Sequence, residues 1–170
     1  MYDKTALIAS LRHETKVIKH LATQVPATQL NWRPTDKQRS TIELLRFLTI
    51  AGIGSAEYLI TGNWDHWGPM DEARKSVTVD TFAKAMDKQQ KALEKILAGF
   101  SDAALKRKPA KTWSGAKTTL GTGFIEMVLK SMVAYRMQLF LYAKESGASH
   151  IATSDCWNGK PAKAKKASAG

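Results

Sequence analysis

The chain has 170 residues, the usual size of one globular domain, of which 44% are hydrophobic and 24% charged. This composition excludes a largely disordered protein, which would contain fewer hydrophobic residues. The longest apolar stretch, Phe47 to Ala56, ends at Glu57 and is shorter than the ~20 residues of a membrane-spanning helix. We therefore expect no transmembrane segment and no membrane partner.

The beginning of the chain and its single cysteine both bear on location. Residues 1–16 contain no apolar core and no small-residue cleavage site of the kind found in secretory signals. Cys156 has no second cysteine with which to form a disulfide within the chain. These features predict a cytoplasmic protein, and we expect Cys156 to be a packed side chain rather than a nucleophile.

The formal net charge of +11 is concentrated in two segments. The stretch from Lys106 to Lys117 has five basic residues and no acid, and the tail after Gly159 has four lysines and no acid. Basic side chains bind phosphates, which raises the question of a nucleic-acid partner. The tail lacks interleaved aromatic residues on which bases stack, so nucleic acid is not the expected partner. From about Lys160 we expect the tail to be disordered and dispensable for folding.

The first predicted helix runs from Asp3 to about Gln24, where apolar residues recur at helical spacing until Pro26. His13 and His20 lie seven residues apart on this helix, too far apart to share a metal, and we expect both at the surface. The following segment, Leu30 to Pro34, is predicted to be a connector because a residue before proline avoids the α conformation.

The second predicted helix begins at Ser40 or Thr41 and runs to Gly62. Ser40 followed by Glu43 is the pattern of a capping box, and glycine suits the C-terminal end of a helix. Small residues within this helix predict a surface on which a neighbouring helix packs closely. They are Gly52, Gly54, Ser55 and Ala56.

Residues 63–76 show no periodicity and are predicted to form a loop that carries Trp64 and Trp67. The third helix follows, from a cap at Thr78 to Gly99. Residues 101–117 are predicted to form a basic loop.

The fourth helix begins between Thr118 and Thr122 and ends at Gly147. No segment alternates with the period of a strand. The pattern predicts an all-α fold, a four-helix bundle with long connectors over residues 1–150. A C-terminal extension occupies residues 151–170.

The polar side chains of the fourth helix give the candidate site. Ser131 and Tyr135 lie four residues apart on one face with Gln138 beyond them, and Glu43 and Phe47 lie one turn apart on the second helix. Two interpretations stay open: a closed core that contains a satisfied tyrosine hydroxyl, or a small polar pocket between helices two and four. In both, we expect Tyr135 to be buried near Phe47, with its hydroxyl hydrogen-bonded inside the bundle and within reach of Ser131 or of a water or ligand that they share.

Two segments resemble the DinB-like family of four-helix bundles, a group of proposed metalloenzymes. Leu30-Asn31-Trp32-Arg33-Pro34, followed by Ser40-Thr41-Ile42-Glu43-Leu44-Leu45, is similar to the family's L-x-W-x-P connector and its S-x-x-E-L-L helix start. Tyr135-Arg136-Met137-Gln138-Leu139 is similar to the family's H-R-G-Q-L stretch. The resemblance covers roughly residues 1–147. It implies the DinB-like fold and a homodimer, which the strongly apolar second helix also favours.

The resemblance also implies where a metal would lie. In members that carry one, a histidine of helix two and two histidines of helix four are the ligands, and the matching positions here are Phe47, Ser131 and Tyr135. Phenylalanine cannot bind a metal, and neutral serine and tyrosine are poor ligands for zinc or nickel. We therefore expect no metal and no other cofactor, with the metal site lost.

Three functions stay open. The first is a metal-free DinB-like binding or interaction protein, with a small-molecule ligand near Tyr135. The second is a DinB-type enzyme, a thiol-dependent transferase or a hydrolase-like protein, that works without the histidines and uses Tyr135, Ser131 or Glu43 for acid–base chemistry. The third is a nucleic-acid or acidic-surface binder that uses the basic loop and the tail.

Overall fold

The structure, a computed structural model, describes residues 3–161 of the chain. Four long helices form its frame, as the sequence predicts, and shorter elements occupy the connectors. In chain order the elements are α1 (Lys4–Ala22), a 3-10 turn (Ala27–Gln29), α2 (Thr41–Thr61), α3 (Trp67–Arg74), α4 (Val79–Ala98), α5 (Asp102–Arg107), β1 (Pro109–Lys111), β2 (Lys117–Thr119), α6 (Leu120–Gly123), a π-helical segment (Phe124–Leu129), α7 (Lys130–Glu145) and α8 (Thr153–Asn158).

The fourth long helix is continuous through α6, the π-helical segment and α7. Both α1 and α2 pack against α4 and against this fourth helix, which places α1 and α2 diagonally across the bundle. Leucine side chains dominate the core between them, with aromatic rings from α4 and the π-helical segment; examples are Leu11, Leu21, Leu44, Leu48, Phe82, Leu93, Leu97 and Phe124. The predicted all-α four-helix bundle is confirmed.

Local capping interactions fix the ends of the long helices where the sequence places them. The Ser40 hydroxyl accepts from the Glu43 N–H at 3.4 Å, and the Glu43 carboxylate accepts from the Ser40 N–H at 2.7 Å. Gly62 ends α2 in the left-handed conformation, with φ of 76°. Thr78 caps α4 in the same way as predicted.

The small residues of α2 form a close-packing surface. A Cβ atom on Gly54 would lie 2.6 Å from the Trp67 ring, and one on Gly52 would lie 3.3 Å from Oε1 of Gln89. The buried Gln89 side chain of α4 accepts from the N–H groups of Gly52 at 3.0 Å and Ile53 at 3.1 Å and donates to the Leu48 carbonyl at 2.9 Å. The close approach that the sequence predicts is therefore made by a glutamine and a tryptophan, from α4 and α3.

The prediction of a loop over residues 63–76 was wrong in part, because Trp67–Arg74 form α3. This helix has no buried face of its own and lies against α2 through Trp67. Contacts distant in sequence stabilise it, so no periodic pattern reveals it.

The predicted basic loop likewise contains regular structure. Ser101 caps α5 by accepting from the Ala104 N–H at 3.1 Å. The strands β1 and β2 then pair in antiparallel orientation, with Lys111 directly opposite Lys117. Strands of three residues are too short to show alternation, which is why the sequence did not predict this hairpin.

The helix α2 has the length and hydropathy of a membrane span, although Glu57 interrupts its apolar sequence. In the bundle, 61% of its most apolar window is buried against neighbouring elements. A core helix of a globular fold has the same composition.

Candidate functional site

Phe47 of α2 and Tyr135 of α7 meet where the bundle brings these two helices together. Their rings pack edge to face with centroids 4.8 Å apart, a favourable aromatic geometry. Phe47 is buried, whereas Tyr135 is only partly buried. The predicted contact between these two residues is confirmed.

Two further side chains complete this aromatic cluster, which we define as Arg39, Phe47, Trp67 and Tyr135. The Arg39 guanidinium carbon lies 4.0 Å from the centre of the Phe47 ring, within the range of a cation–π interaction. The Trp67 ring lies on another side of Phe47, with centroids 6.1 Å apart. Sequence reasoning missed Arg39 and Trp67 here, because neither lies on α2 or α7 and no local pattern connects them to Phe47.

The other predicted site residues point to different partners. The Ser131 hydroxyl donates to the Met127 carbonyl of its own helix at 2.6 Å. The Gln138 amide donates to the Tyr142 hydroxyl at 2.8 Å.

The Glu43 carboxylate caps the start of α2 and is not part of the aromatic cluster. The Ser40 N–H, followed by the Ser40 hydroxyl and the charges of Arg33 and Arg39, lowers the pKa of Glu43 below its ordinary value. Its carboxylate also forms an ion pair with Arg33 at 3.2 Å. These contacts leave Glu43 a weak base.

The expected burial of Tyr135 was wrong. Among residues 3–161 this hydroxyl has no hydrogen-bond partner, and the side chain is partly exposed rather than buried. Because Ser131 bonds back to its own helix, the two hydroxyls that share a face do not share a partner. The phenol is therefore free to bond to solvent or to a ligand.

The metal site implied by the resemblance does not fit these residues. Phe47 offers no donor atom, and the Ser131 hydroxyl is already engaged with a backbone carbonyl. In the part of the chain that the structure describes, no three His, Cys, Asp or Glu side chains converge as metal ligands.

A second polar arrangement, not predicted from the sequence, lies between α1, α7 and α8. Arg136 of α7 and Glu14 of α1 form an ion pair with Nε 3.2 Å from Oε2, and their side chains are only 2% and 8% exposed. Burial raises the pKa of Glu14, and the nearby Arg136 charge opposes this only in part. The guanidinium lies 5.0 Å below the Trp157 ring of α8.

The short helix α8 covers this ion pair within the region predicted to be an extension. Cys156 of α8 is buried, as expected for a packed side chain, and burial raises the pKa of its thiol. His20, predicted to lie at the surface, is instead largely covered and lies 2.8 Å from an Asp155 oxygen. The exposed His13 contacts the Trp157 carbonyl at 2.8 Å. The predicted disordered tail begins at about Lys160, and its residues 162–170 lie outside the described part of the chain.

Comparisons with known proteins identify the fold. No protein-family profile and no curated protein sequence matches the chain. The crystal structure of a DinB-like protein, YjoA from Bacillus subtilis, aligns with a TM-score of 0.61 and 16% sequence identity. The alignment covers 83% of this chain and 91% of that one. The chain therefore has the fold of a DinB-like protein, as its connector and helix-four motifs indicate.

Proposed function

We propose that this chain is a metal-independent DinB-like binding protein whose ligand is a small organic carboxylate held at the aromatic cluster. One observation carries the proposal: a guanidinium lies 4.0 Å over a buried aromatic ring, beside a phenol that has no hydrogen-bond partner in the described chain. The partly exposed Tyr135 supplies an apolar ring and a hydroxyl donor, and Arg39 supplies a positive charge.

The charge of Arg39 supports a carboxylate as ligand. This side chain is exposed and forms no ion pair within residues 3–161, since the nearby Glu43 pairs with Arg33. A guanidinium presents a planar set of donors that matches a carboxylate. An acid with an aromatic or alkyl group can contact the rings while its carboxylate reaches Arg39 and the Tyr135 hydroxyl.

Loss of the metal site is part of the proposal. Phe47 and Tyr135 fill the positions at which metal-bearing relatives are expected to place histidines, and they contact each other directly. The side chains support binding rather than catalysis, because Ser131 donates to a backbone carbonyl and Glu43 caps α2. Within residues 3–161, no side chain accepts a hydrogen bond from the Tyr135 hydroxyl as a base would.

Calorimetric titration tests the ligand class with benzoate, phenylacetate and hexanoate as acids and benzamide as the uncharged counterpart of benzoate. We expect saturable binding of at least one acid, and binding of benzoate tighter than that of benzamide. Arg39→Gln should weaken acid binding on the order of tenfold, the usual magnitude for a lost charged hydrogen bond. Arg107→Gln removes the same charge from the exposed surface of α5 and should leave the affinity unchanged.

The proposal fails if none of the three acids binds, or if Arg39→Gln and Arg107→Gln have equal effects. Thermal melts of both variants verify that each is folded. Tyr135→Phe should weaken binding without lowering the melting temperature, since its hydroxyl has no hydrogen-bond partner in the part of the chain that the structure describes.

A homodimer and a cytoplasmic location complete the proposal. The helix α2 packs against other elements of the bundle, so we do not place the dimer interface there. We place it on α7, where Met137 and Leu141, one turn apart, are 38% and 50% exposed. A second copy of the chain would cover these side chains. Light scattering of Leu141→Lys against the parent chain tests this: the parent should be a dimer and the variant a monomer, and a monomeric parent contradicts the proposal.

The cytoplasmic location is proposed on the buried Cys156 thiol, which suits a reducing compartment.

A further inference from the structure

The hairpin formed by β1 and β2 presents an exposed tryptophan among lysines. Trp113, in the turn between the strands, is 74% exposed. The turn is well ordered, because the Gly115 N–H donates to the Thr112 carbonyl at 2.8 Å and the Thr112 N–H donates to the Ala116 carbonyl at 2.9 Å. Trp113 therefore projects from a defined turn. We name Trp64, Lys111, Trp113 and Lys117 the hairpin surface.

The two lysines of the hairpin surface face each other without an acid. Lys111 and Lys117 are paired residues of the antiparallel ladder, and like charges opposite each other destabilise a sheet. No Asp or Glu occurs between Ala103 and Ile125. Neither lysine forms an ion pair within the described residues, so a bound anion would relieve their repulsion.

A groove of about 450 Å³ runs between the hairpin and the end of α2 and is lined by both lysines and by Tyr58. The Tyr58 hydroxyl donates to the Thr112 carbonyl at 3.3 Å, which joins α2 to the turn. Trp64 stacks on Tyr58 with centroids 4.4 Å apart and is itself 42% exposed. Aromatic surfaces therefore lie at the turn and beside the groove, and two lysines line the groove.

We propose that the hairpin surface binds single-stranded nucleic acid, with a base stacked on Trp113 and phosphates held between Lys111 and Lys117. A basic groove with aromatic stacking residues is the usual design of such sites. An anionic membrane would also attract lysines, but its binding depends on buried apolar area, and Trp113 is the one large apolar side chain among the polar residues of the turn. Trp64 packs edge to face on Trp67 of the aromatic cluster, with ring centroids 5.6 Å apart. The nucleic-acid proposal uses neither Arg39 nor Tyr135 and does not depend on the carboxylate proposal.

Fluorescence anisotropy with a labelled oligothymidylate of about 12 nucleotides, within the span of small single-strand binding domains, tests the proposal in the full chain. The double variant Lys111→Ala/Lys117→Ala should reduce the slope of log affinity against log salt by about 1.4, the value for two phosphate contacts on a single strand. The control Lys84→Ala/Lys91→Ala removes two exposed lysines of α4 and should leave the slope close to that of the parent.

The tryptophan is tested independently of charge. Trp113→Ala should weaken binding on the order of tenfold, as expected for one lost base stack, with an unchanged salt slope. Trp113→Phe should retain most of the affinity. Melting temperatures of all variants should match that of the parent, since these side chains are exposed.

Three results would overturn the proposal. One is the absence of saturable oligonucleotide binding at low salt. Another is an equal reduction of the salt slope in the hairpin and α4 double variants, which would assign binding to net charge or to the lysine-rich tail. The third is a Trp113→Ala variant that no longer sediments with phosphatidylserine vesicles but still binds the oligonucleotide as the parent does. That result would make the hairpin a membrane contact.

Discussion

Nε of Arg136 and Oε2 of Glu14 lie 3.2 Å apart, yet both atoms are sealed from solvent without a hydrogen bond to any described residue. Their alignment is therefore poor for two charges that have lost hydration. Burial of an ion pair in such geometry stabilises a fold little, whereas removal of one partner leaves an uncompensated charge. The two partners are not equivalent, because burial already raises the pKa of Glu14.

Arg136→Met should lower the unfolding free energy by about 3 kcal/mol, because it leaves the Glu14 carboxylate buried alone. Glu14→Gln should cost at least as much, since it leaves the Arg136 guanidinium, which cannot lose its proton, buried without its counter-charge. The double variant Glu14→Leu/Arg136→Met should recover most of the loss. Urea unfolding measures all three, and additive losses in the double variant would contradict this account.

The same pair predicts a pH dependence. A carboxyl whose pKa is higher in the folded chain stabilises the fold fully below its unfolded pKa, and loses that contribution as pH rises through the folded pKa. The stability of the parent relative to Glu14→Gln should therefore fall as pH rises above 4.5, the ordinary value for glutamate. A relative stability that rises over this range would show that Arg136 outweighs burial.

The exposed edge of the aromatic cluster leads to a prediction for Tyr135. Tyr135→Phe should change the unfolding free energy by no more than about 0.5 kcal/mol, since it keeps the ring and removes a hydroxyl that bonds to none of the described residues. Tyr135→Ala should cost at least about 1 kcal/mol through loss of the contact with Phe47. A large loss in Tyr135→Phe would reveal a structural hydrogen bond.

Elemental analysis of the purified, dialysed protein should find no stoichiometric zinc, nickel or iron. The reason is the donor set, because Phe47 and Tyr135 pack ring against ring and Ser131 bonds to Met127. The variant Phe47→His/Ser131→His/Tyr135→His serves as the comparison and should gain zinc binding. One metal per chain in the parent, lost in Tyr135→Phe, would restore a metal centre at this position.

Gln89 should be among the residues most sensitive to substitution. Gln89→Leu keeps much of the volume but leaves the N–H groups of Gly52 and Ile53 and the Leu48 carbonyl without this partner. A buried group left unsatisfied costs about 1–3 kcal/mol. Lys88→Leu is a control on the preceding residue of α4, whose side chain is exposed. Equal losses for the two would show that the contact with α2 contributes nothing special.

Truncation separates α8 from the tail. A chain that ends at Pro161 should keep its melting temperature, because all described elements are retained. A chain that ends at His150 loses Ile151 and Cys156, both buried, and uncovers the Glu14–Arg136 pair. The unfolding free energy of this shorter chain should be lower by about 3 kcal/mol or more from lost apolar burial alone. Equal melting temperatures for the two truncations would mean that α8 does not stabilise the bundle.

The sequence predicts well those features, such as helix ends, that depend on residues close together in the chain. Ser40 and Glu43 cap α2 within a single turn, and Gly62 ends it, so both ends of that helix can be placed from local chemistry. The contact of Phe47 with Tyr135 followed from helical phase together with the family resemblance.

What it misses depends on residues distant in sequence. Gln89 reaches the α2 backbone across the bundle, and Arg39 lies over Phe47 from the connector before α2. Nothing in the sequence near Glu14 or Arg136 indicates that the two charges are buried as a pair beside α8. Burial of that kind follows only from the assembled helices.

The π-helical segment Phe124–Leu129 affects how this chain aligns with others. The Lys130 N–H bonds to the Ile125 carbonyl, five residues back, so the helix there holds an extra residue in its turn. One residue corresponds to about 100° of rotation in an α-helix of 3.6 residues per turn. An alignment that assumes an uninterrupted α-helix therefore matches residues before the segment to the correct helix face and residues after it to a face rotated by that angle. Homologues without the segment should align with a one-residue gap between Gly123 and Lys130.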